Sequence, residues 1–180
     1  MRKLNFNELH GLSSERRIQN SLHKRPIAVI LDDIRSLHNV GAIFRTADGA
    51  GLEHLYLCGI TGTPPRNEIR KTSLGAEESV PWTYHKDALE PLQSLCATGY
   101  QIIVLEQTNE SVDYRLALYR FPVCLIIGHE FHGVRDQLVA AADLAIDIPM
   151  YGVKQSLNVS VAFGIAVYEI GVKYEEIAVP

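Results

Sequence analysis

A chain of 180 residues, 47% hydrophobic and 21% charged, has the size and composition of one water-soluble globular domain. No apolar run approaches the roughly 18 residues of a membrane span and the N-terminus lacks a secretory apolar core, so a cytoplasmic protein is expected. The net charge of −4 disfavours a nucleic-acid partner only until it is divided along the chain: residues 1–25 hold six basic and two acidic side chains, the rest eleven and nineteen. A basic N-terminal arm, 1–25, ahead of an acidic domain, 26–180, suits phosphate contact by Arg16, Arg17, Lys24 and Arg25, and equally suits a solvated helix.

Ile27-Ala-Val-Ile-Leu31 is a continuous apolar run of the kind found in buried parallel strands. Asn39 can cap a helix running to about Ala50, with Gly51 just past its end. His54–Cys58 reads as a second strand, residues 61–65 as loop, and Asn67–Leu74 as a short helix that Gly75 ends. Asp87–Thr98 has helical periodicity, Gln101–Glu106 and Val123–Ile127 are strands, Arg135–Ala142 is a helix, and Ala145–Ile148 is a strand. Residues 156–163 alternate like a strand, but the apolar stretch continues through Tyr168, and that length favours a buried helix. Strands alternating with helices predict an α/β domain, a mostly parallel sheet with helices on both faces. Cys58 and Cys124 sit in strand runs and read as reduced core thiols; with Cys96 they share no CxxC spacing.

Three loops follow strands, where open α/β sheets gather ligands. In Asn39-Val-Gly-Ala-Ile-Phe-Arg-Thr-Ala47, Asn39 is either a plain helix cap or a site residue. Arg45, set among Ile43, Phe44 and Ala47, is either a surface ion-pair partner or a functional cation. In Gly128-His-Glu-Phe-His-Gly133, the two histidines are one residue short of the H-E-x-x-H zinc spacing, and no metal site is expected. The glycines have P-loop spacing, yet Val134-Arg135 follow instead of Lys-Ser/Thr. What remains is a turn open to a ligand with Glu130 projecting from it; a helix-terminal carboxylate is the plainer alternative. The third segment, Ile148-Pro-Met150 through Ser156-Leu-Asn-Val-Ser160, places small polar groups ahead of an apolar helix, and suggests a ligand seat, although Ser156 can also simply cap that helix.

Taken together, in this order and spacing, the three segments resemble the three signature motifs of the SpoU (TrmH-like) RNA 2′-O-ribose methyltransferases of the SPOUT superfamily. Lys71-Thr-Ser-Leu-Gly-Ala76 is similar to the family's segment between the first two motifs. The likeness covers about residues 26–170. It implies a C-terminal deep trefoil knot, S-adenosyl-L-methionine as cofactor, an RNA substrate and a homodimer with its site near the subunit interface. It also implies cofactor contacts from Gly128, Glu130, Ile148, Met150, Ser156, Leu157 and Asn158. Catalysis would rest on Arg45, with Asn39, Glu130, Ser156 and Asn158 assisting and Arg45 also holding RNA. The short arm favours tRNA over ribosomal RNA. Base methylation, or a non-catalytic RNA-binding protein of the same fold, are the competing readings; a cysteine nucleophile is disfavoured because no cysteine lies in the three loops.

Overall fold

The computed structural model describes residues 1–5, 7–8, 11–12 and 24–178. Arg16 and Arg17 lie outside the described residues. Seven strands form one sheet in the order β3-β2-β1-β6-β4-β7-β5. All six strand pairings are parallel.

The central strands are β1 (Arg25–Asp32), β6 (Val123–Ile127) and β4 (Gln101–Leu105). Their unbroken apolar runs follow from burial on both faces. Ile27, Val29 and Leu31 of β1 join one core with Val123, Leu125 and Ile127 of β6. Ala28 and Ile30 turn the other way, into a second core with Cys124 and Ile126. This two-residue alternation gives each face its own layer of helices. The first layer holds α1 (Leu37–Ala50), α2 (Asn67–Ser73), α3 (Ala76–Ser79) and α6 (Val159–Ala178). The second holds α4 (Leu89–Ala97) and α5 (Asp136–Ala140). The flanks of the sheet are β2 (Leu52–Cys58), β3 (Trp82–His85), β7 (Leu144–Asp147) and the two-residue β5 (Val112–Asp113). Cys58 and Cys124 are buried, as read from the sequence, and Cys96 is exposed.

Several sequence expectations need correction. Helix α1 begins three residues early, capped by Ser36, whose hydroxyl accepts from the Asn39 amide at 3.4 Å. Asn39 is therefore not the cap, and its side chain is left to bond elsewhere. Gly51 does end the helix, in the left-handed conformation (φ 68°) that a residue without Cβ adopts at little cost. Helix α6 begins at Val159, so residues 156–158 are loop. Its start is organised by Asn158, not Ser156: the Asn158 Oδ1 accepts from the Ser160 amide at 2.9 Å, and its carbonyl accepts from Ala162 at 2.9 Å. Phe163, Ala166, Val167, Ile170 and Gly171 then bury one helical stripe. Truncating the fully buried Phe163 to Ala would cost about 3–5 kcal/mol. The apolar residues of the alternating stretch 156–163 go to different places: Leu157 lies in the loop, Val159 packs on the core, Phe163 is buried, and Val161 joins Tyr168 and Val172 on a second, exposed apolar face. Strands β3 and β5 and helix α3 escaped the sequence reading; each is four residues or shorter, too brief for a periodicity signal.

Helices α1 and α2 approach closely at Gly41. A Cβ there would stand 2.4 Å from the Ile69 carbonyl oxygen and 2.0 Å from the Thr72 hydroxyl. The Thr72 hydroxyl in turn donates to the His38 carbonyl at 3.2 Å, so the 71–76 segment braces the first turn of α1. Among the described residues no helix is long and apolar enough to cross a membrane.

Candidate active site

A cavity of about 370 Å³ opens at the carboxyl ends of β4, β6 and β7, within the size range of small-molecule sites. Three chain segments line it, all ending strands: 105–107, 127–133 and parts of 147–162. Of the cofactor contacts expected from sequence, Gly128, Glu130, Ile148, Met150, Ser156, Leu157 and Asn158 all line this one space.

The second segment leaves β6 as a tight turn in which the Gly133 amide donates to the His129 carbonyl at 2.8 Å. Gly128 faces the returning chain so closely that a Cβ would lie 2.3 Å from the Gly133 oxygen and 2.4 Å from the Val134 nitrogen. Gly133 has φ +66°, and Glu106 packs under it, accepting from the Val134 amide at 2.9 Å. The result is bare backbone facing the cavity. The third segment is pinned by Gln107, whose Nε2 donates to the Gln155 carbonyl at 2.7 Å.

Glu130 ties this turn to the start of α1. Its carboxylate accepts from the Arg35 amide, the Ser36 amide and Asn39 Nδ2, each at 3.0 Å. Asn39 Oδ1 accepts from Asn158 Nδ2 at 3.1 Å, and Asn158 Oδ1 accepts from the Ser160 hydroxyl at 2.6 Å. Side chains 91 and 119 positions apart are thus joined in one directed chain, each amide orientation fixed by the donor or acceptor it meets. Partial burial pushes the Glu130 carboxyl up, but the Arg35 and Ser36 amides and Asn39 outweigh it and hold its pKa below the usual carboxylate range. Glu130 is an anion here, and it serves as a remote cap for α1 rather than as a carboxylate of its own helix.

Arg45 lies six residues beyond Asn39 on α1, about 9 Å along the axis and roughly 120° around it. It is exposed and is not among the residues lining the cavity. Its helix packs on α6, with Thr46 Cγ2 standing 3.7 Å from a Cβ placed at Gly164. Lys24 is exposed. Arg25 plays a structural role, in which Nη1 donates to the Ala50 carbonyl at 2.6 Å and Nη2 pairs with Glu175, joining the end of α1 to α6. His129 and His132 stay in the turn, with the Phe131 amide donating to His129 Nδ1 at 3.0 Å. No group of three or more histidine, cysteine or acidic side chains is placed for a metal among the described residues.

Sequence reasoning missed the Leu105–Gln107 wall and the two backbone donors at 35–36. The first had a signal, since it ends a recognised strand; backbone donors carry none in the side-chain code.

An anionic brace, two oriented amides and a bare-backbone cleft can orient a polar ligand and an acceptor hydroxyl side by side. The Gly128 and Gly133 backbone, with Ile148 and Leu157 nearby, fits an amphipathic molecule such as a nucleoside with a charged tail. Comparison with known proteins agrees. The tRNA (guanosine(18)-2′-O)-methyltransferase of Aquifex aeolicus is 36% identical over 166 residues, 89% of this chain and 77% of that protein. The crystal structure of the A. aeolicus TrmH/SpoU tRNA modifying enzyme superposes with a TM-score of 0.80 at 32% identity, covering 93% of this chain and 86% of that one. An AdoMet-bound rRNA methyltransferase from Sinorhizobium meliloti matches with a TM-score of 0.77 at 29% identity, over 88% of this chain and 59% of that one. The SpoU rRNA Methylase family model matches residues 26–168, and the chain belongs to that family.

Proposed function

We propose that the protein is an S-adenosyl-L-methionine-dependent methyltransferase that modifies a ribose 2′-hydroxyl in tRNA. The observation that carries this reading is the Glu130–Asn39–Asn158 chain, which ties the β1–α1 turn to two of the strand-end segments that line one cavity. The A. aeolicus relative's named activity supports tRNA as the substrate, and the AdoMet-bound neighbour supports the cofactor.

When bound, S-adenosylmethionine supplies an electrophilic methyl group on a sulfonium. Gly128, Glu130, Ile148, Met150, Ser156, Leu157 and Asn158, which line the cavity, would hold it, with backbone groups supplying most polar contacts and Ile148, Met150 and Leu157 the apolar ones. Asn39 and Asn158 orient the acceptor ribose at the mouth. A hydroxyl is a weak nucleophile and must lose its proton as it attacks. A guanidinium is already protonated at neutral pH and cannot take up that proton in its charged form. Arg45 would grip the adjacent phosphate and stabilise the developing charge on the 2′-oxygen, with the proton passing to that phosphate or to a transiently neutral guanidine.

Arg45 is absent from its own chain's cavity wall, and this favours a homodimer. Val161, Tyr168 and Val172 expose an apolar stripe on α6, the helix that packs on α1. A second copy on that stripe would bring Arg45 of the partner subunit toward the cavity. We also assign the family's trefoil knot to the C-terminal segment and a cytoplasmic location. Lys24 joins Arg16 and Arg17 as a candidate phosphate contact. Calorimetric titration with S-adenosylmethionine, followed by nucleoside mass spectrometry of tRNA from cells lacking the gene, tests the reading. It predicts binding and the loss of one 2′-O-methylnucleoside; an unchanged nucleoside profile contradicts it.

A further inference from the structure

We propose that a second hollow, between the β1–α1 turn and the loop after β2, seats one nucleotide of single-stranded RNA next to the one being modified. This rests on the RNA-methyltransferase reading and adds a subsite to it. The hollow has a volume of about 560 Å³, and Arg35, Leu37, Ile60, Arg66, Trp82 and Tyr84 shape it.

Its walls carry the two things a nucleotide needs. Tyr84 and Ile60 are 49% and 63% exposed, an apolar and aromatic surface open to solvent. The Tyr84 ring is held by its hydroxyl, which donates to the Gly59 carbonyl at 3.0 Å, and Trp82 is held edge-on by Phe44 at 6.4 Å between centroids. Fixed aromatic faces of this kind stack bases. Arg35 and Arg66 are exposed and make no ion pair with any described residue. Two guanidinium groups with no ion pair among the described residues, beside an aromatic floor, match a phosphate and its base.

The hollow is built before any ligand arrives. The Ile34 amide donates to the Thr61 hydroxyl at 3.0 Å, that hydroxyl donates to the Leu31 carbonyl at 3.0 Å, and the Ile60 amide donates to Asp33 at 2.9 Å. Gly62 permits the close approach of Leu37, whose Cδ2 would lie 2.1 Å from an added Cβ. A preformed seat lowers the ordering cost of binding.

Arg35 also joins the hollow to the active site. Its amide donates to Glu130, and its guanidinium sits 5.7 Å from the ring centroid of Phe131, which lines the cofactor cavity. Leu37 walls the hollow, and Asn39, two residues on, belongs to the Glu130 chain. A strand with its reactive ribose at Asn39 would carry its neighbour across Arg35 into the hollow. A base inside a duplex cannot reach such a wall, so the ligand is unpaired.

The test compares wild type with Arg66→Ala, Tyr84→Ala and Tyr84→Phe. Fluorescence anisotropy measures binding to an unmodified tRNA transcript across a sodium chloride series, and methyl transfer to the same transcript is assayed in parallel. Calorimetry with S-adenosylmethionine confirms that each variant is folded. Tyr84→Ala should weaken RNA binding about 5- to 150-fold, the range lost with a base–aromatic stack, while Tyr84→Phe, which keeps the ring and loses only its hydrogen bond to Gly59, should retain most of the affinity. Arg66→Ala should lower the slope of log affinity against log salt by about 0.7, one single-strand phosphate contact. Wild-type affinity and slope in both alanine variants, while methyl transfer proceeds, would overturn the subsite and leave the function standing. Lost affinity in the variants with no methyl transfer by wild type would do the reverse. Capture of a poly-glutamate peptide that Arg66→Ala abolishes, with RNA affinity untouched, would reassign the hollow to an acidic protein segment and also overturn the subsite.

Discussion

Replacing Asn39 with Asp removes one hydrogen-bond donor without changing shape, and it does so 3.0 Å from the Glu130 carboxylate. Two unit charges at that separation repel by about 5–6 kcal/mol at an effective dielectric of ~20. The pair can escape by sharing a proton, and that sets a ceiling. Protonating a carboxyl of ordinary pKa costs about 4 kcal/mol at pH 7 and about 1 kcal/mol at pH 5, at 1.36 kcal/mol per unit. Asn39→Asp should therefore destabilise the fold by about 4 kcal/mol at pH 7, lowering Tm by roughly 8–16 °C for a chain of this size. Most of that loss should vanish at pH 5. Asn39→Ala makes the comparison sharp: Glu130 keeps both backbone donors, so the cost is about 1 kcal/mol at either pH. Thermal unfolding followed by circular dichroism at the two pH values reads both. An Asp variant no less stable than the Ala variant at pH 7, or equally impaired at pH 5, would refute the assigned geometry.

Other outcomes follow from the same structure. Arg45→Ala should keep S-adenosylmethionine affinity within about twofold by calorimetry, while methyl transfer falls about 10²–10³-fold, the loss typical of one charge-stabilising donor. Gly128→Ala drives a Cβ into the Gly133 carbonyl, so it should cost about 1–3 kcal/mol in denaturant unfolding and abolish detectable cofactor binding. Glu130, held below its ordinary pKa, stabilises the fold fully above its unfolded value of about 4.3. That contribution is lost as pH falls through the lower folded pKa, so Glu130→Gln should flatten the acid side of the stability–pH curve below about pH 4.5. In sedimentation velocity the wild type should run as the proposed dimer and Val161→Glu, on the exposed face of α6, as a monomer with unchanged helix content by circular dichroism.

Much of the fold was legible because burial on both sides writes itself as unbroken apolar runs. The strands at 27–31, 101–106 and 123–127 and the helix end at Gly51 all stand close to where the sequence put them. The start of α1 was misread because Ser36 and Asn39 are both good caps, and only the position of Glu130 decides which side chain is left over. The same competition moved the start of α6 from Ser156 to Asn158. Cavity residues were legible as a set only through the resemblance of the three segments to the family's motifs. Their mutual hydrogen bonds were not, since contacts across 91 and 119 positions depend on strand order. Arg35 and Arg66 carry no local signal at all; the hollow they border exists only once β3 lies beside β2.

The central claim is that the methyl group goes to a ribose oxygen. The most direct measurement incubates the purified protein with tRNA and S-adenosylmethionine labelled in its methyl group, then hydrolyses the RNA in alkali. Alkaline cleavage needs a free 2′-hydroxyl, so label on that oxygen must emerge in alkali-resistant dinucleotides, and this is the predicted result. Label recovered in mononucleotides would place the methyl on a base and contradict the account.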